Sequence, residues 1–170
     1  MKTAFITLSD ISFFILPVIL FSTPPRIGTK VPYFTIEDQH AKKWRSGDYV
    51  GKNVLYVLSD RSGYEYSENW TEPLVKKFGD RLTFVPVADV RSVPGFLKGL
   101  IRSKFEDEFK YPILMDWDGI LIEAFSMVED VPNLVLTNES GVVVYSTHGK
   151  GTVQQVNQLA RQIEVHLSGS

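Results

Sequence analysis

An unbroken apolar run at residues 54–58, Val-Leu-Tyr-Val-Leu, constrains the fold of this chain more than any other segment. A strand with one face in water alternates polar and apolar residues, whereas a strand buried on both faces does not. A second strand is predicted over residues 82–87, in which Pro86 cannot donate a ladder hydrogen bond and must lie at a sheet edge or a bulge. Residues 134–137 and 142–145 flank the polar turn sequence Asn-Glu-Ser-Gly and predict an antiparallel hairpin.

Three helices are predicted between and after these strands. The first covers Ser67–Phe78, where Gly79 provides a stop and Pro73 should introduce a kink. The second covers residues 95–109, and its apolar side consists of Phe96, Leu97, Leu100, Ile101 and Phe105. The third begins with a Thr-x-x-Gln capping box at Thr152, and its apolar face consists of Val153, Val156, Leu159, Ala160, Ile163 and Leu167. The order of strands and helices predicts an α/β fold with a mixed sheet and helices on its faces.

The first 25 residues differ from the rest of the chain. Residues 11–21 form a mostly apolar run, which has the length of a signal-peptide core and is short for a membrane span. We predict a signal peptide or an N-terminal anchor over residues 1–25, and the third alternative is a buried segment of the fold. Pro24 and Pro25 stop any helix there, so the domain proper is predicted over residues 26–168.

Composition argues against several classes of function. A length of 170 residues and a net charge of −2, without a basic run, indicate a single domain that does not bind nucleic acid. The three histidines show no zinc spacing, and Asp116, Asp118 and Glu123 do not follow the twelve-residue pattern of a calcium loop. We therefore predict no metal and no cofactor, and we interpret Asp118-Gly119 as a hairpin turn.

Five short motifs occur in a fixed order along the chain. They are a G-x-x-x-P-x-F-x-I-x-D start at residues 28–38, a G-K-x-V-L strand entry at residues 51–57, a Y-P-x-L-x-D-x-D-G segment at residues 111–119, a Val-Pro pair at residues 131–132 and a hairpin around Gly141 that runs on to Gly149. Together they resemble the thioredoxin-like superfamily, in its peroxiredoxin and extracytoplasmic thiol-oxidoreductase branch. The resemblance covers residues 28–165 and implies a thioredoxin-like fold, with a central mixed β-sheet flanked by helices.

The chain lacks the sulfur chemistry that this resemblance implies. Counting forward from Gly51, the two cysteines of a dithiol protein would fall at about Gly63 and Tyr66, and the attacking cysteine of a peroxiredoxin near Tyr66. The chain has no cysteine, and neither glycine nor tyrosine can exchange disulfides or reduce a peroxide through a sulfenate. Ser62 is a weak nucleophile without an adjacent base, and no histidine lies near it in sequence.

The resemblance implies instead a recognition surface at the same place. It places Pro132 in a loop that faces residues 60–66, with a cis bond before the proline, so that Val131 and Asn133 could offer main-chain hydrogen bonds to a partner strand. Tyrosine, tryptophan and arginine are favoured at interfaces. Alternatively, Pro132 only shapes a loop, Trp70 packs in the core and the tyrosines cover the first helix. The candidate binding residues are Arg61, Ser62, Gly63, Tyr64, Tyr66, Val131, Pro132 and Asn133.

These observations favour an exported, periplasmic or secreted, redox-inactive binding module whose partner is another protein or an extended peptide. One alternative is an enzyme with non-thiol chemistry at residues 60–66, in which Arg61, Tyr64 and Glu65 supply polar groups. Another is a membrane-tethered assembly or scaffold component that faces outside the cytoplasm. That alternative, like any contact with a membrane, requires the N-terminal segment to stay attached.

Overall fold

The computed structural model describes residues 27–168, so the predicted export segment lies outside the described residues and stays a prediction. The strands are β1 (Thr35–Glu37), β2 (Lys43–Arg45), β3 (Val54–Ser59), β4 (Thr83–Asp89), β5 (Leu114–Asp116), β6 (Asn133–Thr137) and β7 (Val143–His148). The helices are α1 (Arg61–Tyr64), α2 (Ser67–Phe78), α3 (Lys98–Glu108), α4 (Ile120–Ala124) and α5 (Val153–Ser168). Short 3-10 turns occur at Ser46–Tyr49, Gly79–Arg81 and Gly95–Leu97. Within residues 27–168, none of the helices is long and apolar enough to cross a membrane.

The predicted central strand, β3, lies in the middle of a five-stranded mixed sheet. The strand order is β5-β4-β3-β6-β7, in which β3 is parallel to β4 and antiparallel to β6. The strands β1 and β2 form a separate antiparallel pair. Every residue of β3 is buried. The predicted α/β fold with a central mixed sheet flanked by helices is therefore confirmed.

Alternate side chains of β3 fill two separate cores, because successive residues of a strand point to opposite faces. Val54, Tyr56 and Leu58 enter a core that is covered by β1, β2 and α4. Leu55 and Val57 enter a second core that is covered by α2 and α5. Burial of each large apolar side chain stabilises the fold by about 1.5–3 kcal/mol. The unbroken apolar run is thus the pattern that a strand between two cores requires.

Two of the predicted helices form where the sequence indicates. The bounds of α2 match the prediction, and Gly79 ends it at a φ of 48°. The helix continues through Pro73, whose kink stays a prediction. At the start of α5, the Thr152 amide donates to Gln155 Oε1 at 3.0 Å and the Gln155 amide donates to Thr152 Oγ1 at 3.3 Å, as the capping box predicts. The assignment of Val153 to the apolar face is wrong, since this first residue of α5 is exposed to solvent.

The remaining strand predictions are also confirmed. The predicted hairpin is the antiparallel pair β6–β7, closed by a hydrogen bond of 3.0 Å from the Asn138 amide to the Val142 carbonyl. Pro86 lies in β4, which has a neighbour on each side. However, β5 pairs only with Val87–Asp89, so Pro86 lies on the part of β4 that β5 leaves uncovered. The expected edge position therefore holds locally.

The predicted apolar side of the second helix is wrong for two of its residues. No residue of α3 is buried, and Phe96 and Leu100 are 86% and 55% exposed. The helix lies at the margin of the fold and is tied to β1 by Arg102, which pairs with Glu37 and donates to the Asp38 carbonyl at 3.2 Å. Polar contacts therefore replace the burial that the apolar spacing predicts.

The interpretation of Asp118-Gly119 as a hairpin turn is also wrong. The helix α4 follows β5 because the buried carboxylate of Asp116 caps it. One oxygen of Asp116 accepts from the Ile120 amide at 2.9 Å, and the other accepts from the amides of Leu121 and Ile122 at 2.8 and 3.1 Å. These bonds satisfy three donors that a helix start leaves unpaired, so the chain turns into a helix.

Replacement of this cap tests the explanation. We expect Asp116→Ala to lower the free energy of unfolding by about 2–3 kcal/mol, because three buried amides lose a charged acceptor. Asp118→Ala is the matched control, since Asp118 is exposed and lies two residues away, and its effect should stay within about 0.5 kcal/mol. Urea denaturation of both variants measures the difference. Equal stability of the two variants would contradict the assigned role of Asp116.

Candidate functional site

Asp60 joins the two segments that the sequence analysis selected. It follows β3 and caps α1, where its Oδ1 accepts from the Gly63 amide at 2.7 Å. Its Oδ2 accepts from the amide of Asp130 at 2.8 Å, in the loop before Pro132. The carboxylate therefore holds α1 against that loop. Sequence reasoning missed this role, although an aspartate before a helix is an N-cap signal.

Gly63 lies directly against the backbone of Val131. A β-carbon at position 63 would lie 2.8 Å from the carbonyl carbon and 3.0 Å from the amide nitrogen of Val131, closer than side chains approach backbone atoms. Position 63 is where the count from Gly51 places the first cysteine of a dithiol protein. Here the place of a thiol side chain is occupied by the neighbouring main chain.

The peptide bond before Pro132 is trans, so the expectation of a cis bond is wrong. The side chain of Asn133 fixes the loop before the proline. Its Nδ2 donates to the carbonyls of Val128 and Val131 at 2.7 and 2.9 Å, and its Oδ1 accepts from the Val128 amide at 2.9 Å. The hydrogen bonds of the Asn133 side chain therefore hold this loop while the Val131–Pro132 peptide bond is trans. Trans is the isomer that X–Pro peptide bonds favour by about 0.5–1 kcal/mol.

The main chain beside Pro132 is already engaged within the protein. The Val131 carbonyl accepts from Asn133, and the Pro132 carbonyl accepts from the Gly149 amide at 3.1 Å. Asn133 pairs with Leu58 on one side and with His148 on the other. A partner strand would have to displace these bonds, so contact through side chains is favoured over strand addition.

The eight candidate binding residues divide into a buried and an accessible group. The structure brings Gly63 and Val131 together, and Gly63, Pro132 and Asn133 are buried. The accessible residues are Arg61, Ser62 and Tyr64, which are exposed, and Tyr66 and Val131, which are partly buried. The accessible group is therefore dominated by the residues of α1.

Tyr64 belongs to a cluster of aromatic rings that sequence reasoning missed. Its ring lies 5.4 Å from that of Phe109 in an edge-on contact, and Phe109 also contacts Phe105 at 5.3 Å and Tyr111 at 5.8 Å between ring centroids. We call these four residues the aromatic cluster. Tyr64 and Tyr111 are 39% and 53% exposed, so the cluster has two accessible rings. The spacing of 105, 109 and 111 is visible in the sequence, but their contact with Tyr64 is not.

Both accessible tyrosines remain protonated at neutral pH. Burial raises the pKa of Tyr64, and the nearby Tyr111, Glu108 and Glu68 raise it further. Burial, Glu68 and Glu108 likewise raise the pKa of Tyr111. Each hydroxyl can therefore donate a hydrogen bond beside an apolar ring, which is the combination that favours tyrosine at interfaces.

Trp70 belongs to the core, as one of the two readings of its position predicts. It is fully buried, and its indole nitrogen donates to the Gly149 carbonyl at 2.7 Å. Tyr66 lies beneath the Nζ of Lys150, which is 4.7 Å from the ring centroid. These contacts tie α2 and the residue before it to the segment after β7.

The polar side chains near α1 are engaged mainly with the main chain. Both oxygens of Asp60 accept from main-chain amides, and Ser62 has no histidine as a hydrogen-bond partner within residues 27–168. Over the same residues, no group of three histidine, cysteine, aspartate or glutamate side chains is placed to hold a metal ion. The side chains that stay accessible here include the phenols of Tyr64 and Tyr111 and the guanidinium of Arg61.

Comparison with solved structures supports the fold. No protein-family model and no curated protein matches the sequence. A candidate protein disulfide isomerase from Bacteroides thetaiotaomicron is 21% identical, with 84% of this chain and 91% of that chain covered and a TM-score of 0.61. A candidate thiol:disulfide interchange protein DsbE from Chlorobium tepidum is 17% identical, with 84% and 98% covered and a TM-score of 0.64. The exposed lipoprotein thioredoxin Etrx1 from Streptococcus pneumoniae strain TIGR4 is 21% identical, with 77% and 99% covered and a TM-score of 0.59. The chain therefore has a thioredoxin-like fold and contains no cysteine.

The contact of Gly63 with Val131 can be tested by adding a single methyl group. We expect Gly63→Ala to lower the free energy of unfolding by about 1–3 kcal/mol, because the new β-carbon overlaps main-chain atoms. Gly99→Ala is the matched control, since Gly99 lies in α3 with open space around it, and it should stabilise by up to about 1 kcal/mol. Urea denaturation distinguishes the two signs. A Gly63→Ala variant as stable as the wild type would contradict the close approach.

Proposed function

We propose that this protein is a redox-inactive binding module that recognises another protein through α1 and the aromatic cluster. The observation that carries the proposal is the contact of Gly63 with Val131. Main-chain atoms of Val131 occupy the space that a thiol side chain at position 63 would need. Absence of cysteine excludes the sulfur chemistry of similar folds. What stays accessible at this end of the sheet is a set of side chains suited to recognition.

The accessible tyrosines supply the main argument for a protein partner. Tyr64 and Tyr111 present large, stiff rings with hydroxyl donors, and both rest on the ring of Phe109. Aromatic anchors backed by other rings lose little conformational freedom when a partner covers them. Arg61 is exposed at the start of α1, three residues before Tyr64, and adds a cationic donor. The partner would contact side chains, because the carbonyls of the Pro132 loop are engaged internally.

The proposed location is the periplasm or the outside of the cell. The apolar run at residues 11–21 has the length of an export signal. One similar structure is an exposed lipoprotein thioredoxin, which supports an extracytoplasmic setting for this protein. N-terminal sequencing of the native protein separates a cleaved, soluble form from a tethered one.

Redox inactivity leads to a direct measurement. We expect the purified protein to give no rate above buffer in insulin reduction by dithiothreitol and in peroxide consumption, because it has no thiolate. A thioredoxin assayed in parallel shows that both assays respond. A protein-dependent rate that Ser62→Ala abolishes would overturn the proposal and favour non-thiol catalysis at residues 60–66.

Partner recognition is tested with the accessible rings. We expect immobilised wild-type protein to retain a specific partner from an extract of its own cells, and Tyr64→Ala/Tyr111→Ala to retain at least tenfold less, since hot-spot aromatics contribute about 2 kcal/mol or more. Tyr33→Ala is the control, because Tyr33 is an exposed tyrosine that precedes β1 and lies outside the aromatic cluster. Circular dichroism verifies that each variant is folded. Equal retention by all three proteins would show that this surface is not the binding site.

A further inference from the structure

The chain's own cations lie over several of its aromatic rings but not over the accessible rings of the aromatic cluster. Lysine Nζ atoms lie 3.9, 4.8 and 4.7 Å from ring centroids in the pairs Lys42–Trp44, Lys98–Trp117 and Lys150–Tyr66. Such contacts form because the face of an aromatic ring is electrostatically negative. Within residues 27–168, no lysine or arginine lies over Tyr64 or Tyr111. These two rings are therefore left for a cation from another molecule.

Two carboxylates, those of Glu68 and Glu108, act on both of these rings. Glu68 lies in the first turn of α2, and Glu108 is the last residue of α3, next to Phe109. Beyond the effect of burial, each carboxylate raises the pKa of the Tyr64 hydroxyl and also that of the Tyr111 hydroxyl. Neither pKa is lowered by a nearby cation. The two negative charges therefore belong to the same surface as the two rings.

The chain does not neutralise these two carboxylates. Glu68 and Glu108 are exposed, and within residues 27–168 neither accepts a hydrogen bond or forms an ion pair. The basic residues nearest to the two tyrosines in sequence, Arg61 and Lys110, form no ion pair with them. By contrast, Glu37 pairs with an arginine of the chain itself. Unpaired charges at a binding surface favour a partner of opposite charge and speed its approach.

We infer that the partner bound at α1 and the aromatic cluster presents a basic segment that carries arginine. A guanidinium is planar, so it stacks on aromatic faces and donates two parallel hydrogen bonds to one carboxylate. Tyr64 and Tyr111 offer the accessible rings, and Glu68 and Glu108 offer the carboxylates. The inference rests on the proposed function, because it names the chemistry of the partner at that same surface.

Three short peptides of equal length test the inference. They alternate glycine with arginine, glutamine or glutamate, so that only the second side chain differs. The readout is amide NMR of the labelled protein, in which the signals of Tyr64 and Tyr111 report on the surface. We expect the arginine peptide to shift both signals in a saturable manner and to bind less tightly as salt is added. The glutamine peptide should bind more weakly, and the glutamate peptide should have no effect. No shift with the arginine peptide, or equal binding of either other peptide, would overturn the inference.

Two double substitutions assign the carboxylates. Glu68→Gln/Glu108→Gln should weaken binding of the arginine peptide by about 2- to 30-fold, the range for two exposed ion pairs. Glu72→Gln/Asp107→Asn is the matched control, because it removes the same charge from exposed positions of α2 and α3 that do not shift either tyrosine pKa. Its effect should stay below about 2-fold, since screening by salt limits the reach of distant charges. Equal weakening by both variants would refute the role of Glu68 and Glu108.

Retention of a partner from an extract of the protein's own cells separates this inference from the proposed function. We expect Tyr64→Ala/Tyr111→Ala and Glu68→Gln/Glu108→Gln both to retain less of the partner than the wild type. Loss in the tyrosine variant alone would leave the proposed function standing and refute the basic character of the partner. Equal retention by the wild type and the tyrosine variant would refute the proposed function, and the inference about its partner with it. Circular dichroism verifies that each variant is folded.

Discussion

The contact between the backbones at Gly63 and Val131 is the constraint on which the α1 end of the molecule depends. Only a residue without a β-carbon permits this approach. The carboxylate of Asp60 maintains it by accepting hydrogen bonds from the amides of Gly63 in α1 and Asp130 in the loop before Pro132. Charge-assisted bonds of this kind are stronger than neutral ones. The same contact removes the space that a thiol would need and leaves Tyr64 on the outer side of α1. The close packing at position 63 and the exposure of Tyr64 therefore have one structural cause.

The parts of the fold that could be predicted from the sequence are those decided by neighbouring residues. The run at residues 54–58 specifies a strand between two cores, and its side chains do alternate between them. A stop at Gly79 and a capping box at Thr152 act within one turn of helix. For such elements local preference and tertiary packing agree, which is typical of sequences that fold to a single state.

The predictions that failed depend on partners far away in the sequence or on the course of the chain. The apolar spacing of Phe96 and Leu100 indicates a buried face. However, Arg102 holds α3 at the margin through hydrogen bonds to Asp38 and Glu37, which precede it by 64 and 65 positions in the sequence. The cap by Asp116 overrides the turn preference of Asp118-Gly119 because its carboxylate is buried where three amides converge. Before Pro132, the side-chain amide of Asn133 donates hydrogen bonds to the loop carbonyls of Val128 and Val131, and no sequence motif predicts these bonds. The aromatic cluster was equally invisible, since Tyr64 and Phe109 are joined only by the fold.

The two ends of the sheet differ in how their polar groups are satisfied, and this difference decides what each end can do. Near Asp60, the loop carbonyls and carboxylate oxygens are paired within the protein, so an incoming molecule gains most from side chains and apolar rings. At the opposite end, Tyr49 and Tyr56 are almost fully buried and their hydroxyls make no hydrogen bond within residues 27–168, but neither oxygen is sealed from solvent, so water can satisfy them. Because fold does not fix function, the side chains at each end are the evidence for its chemistry.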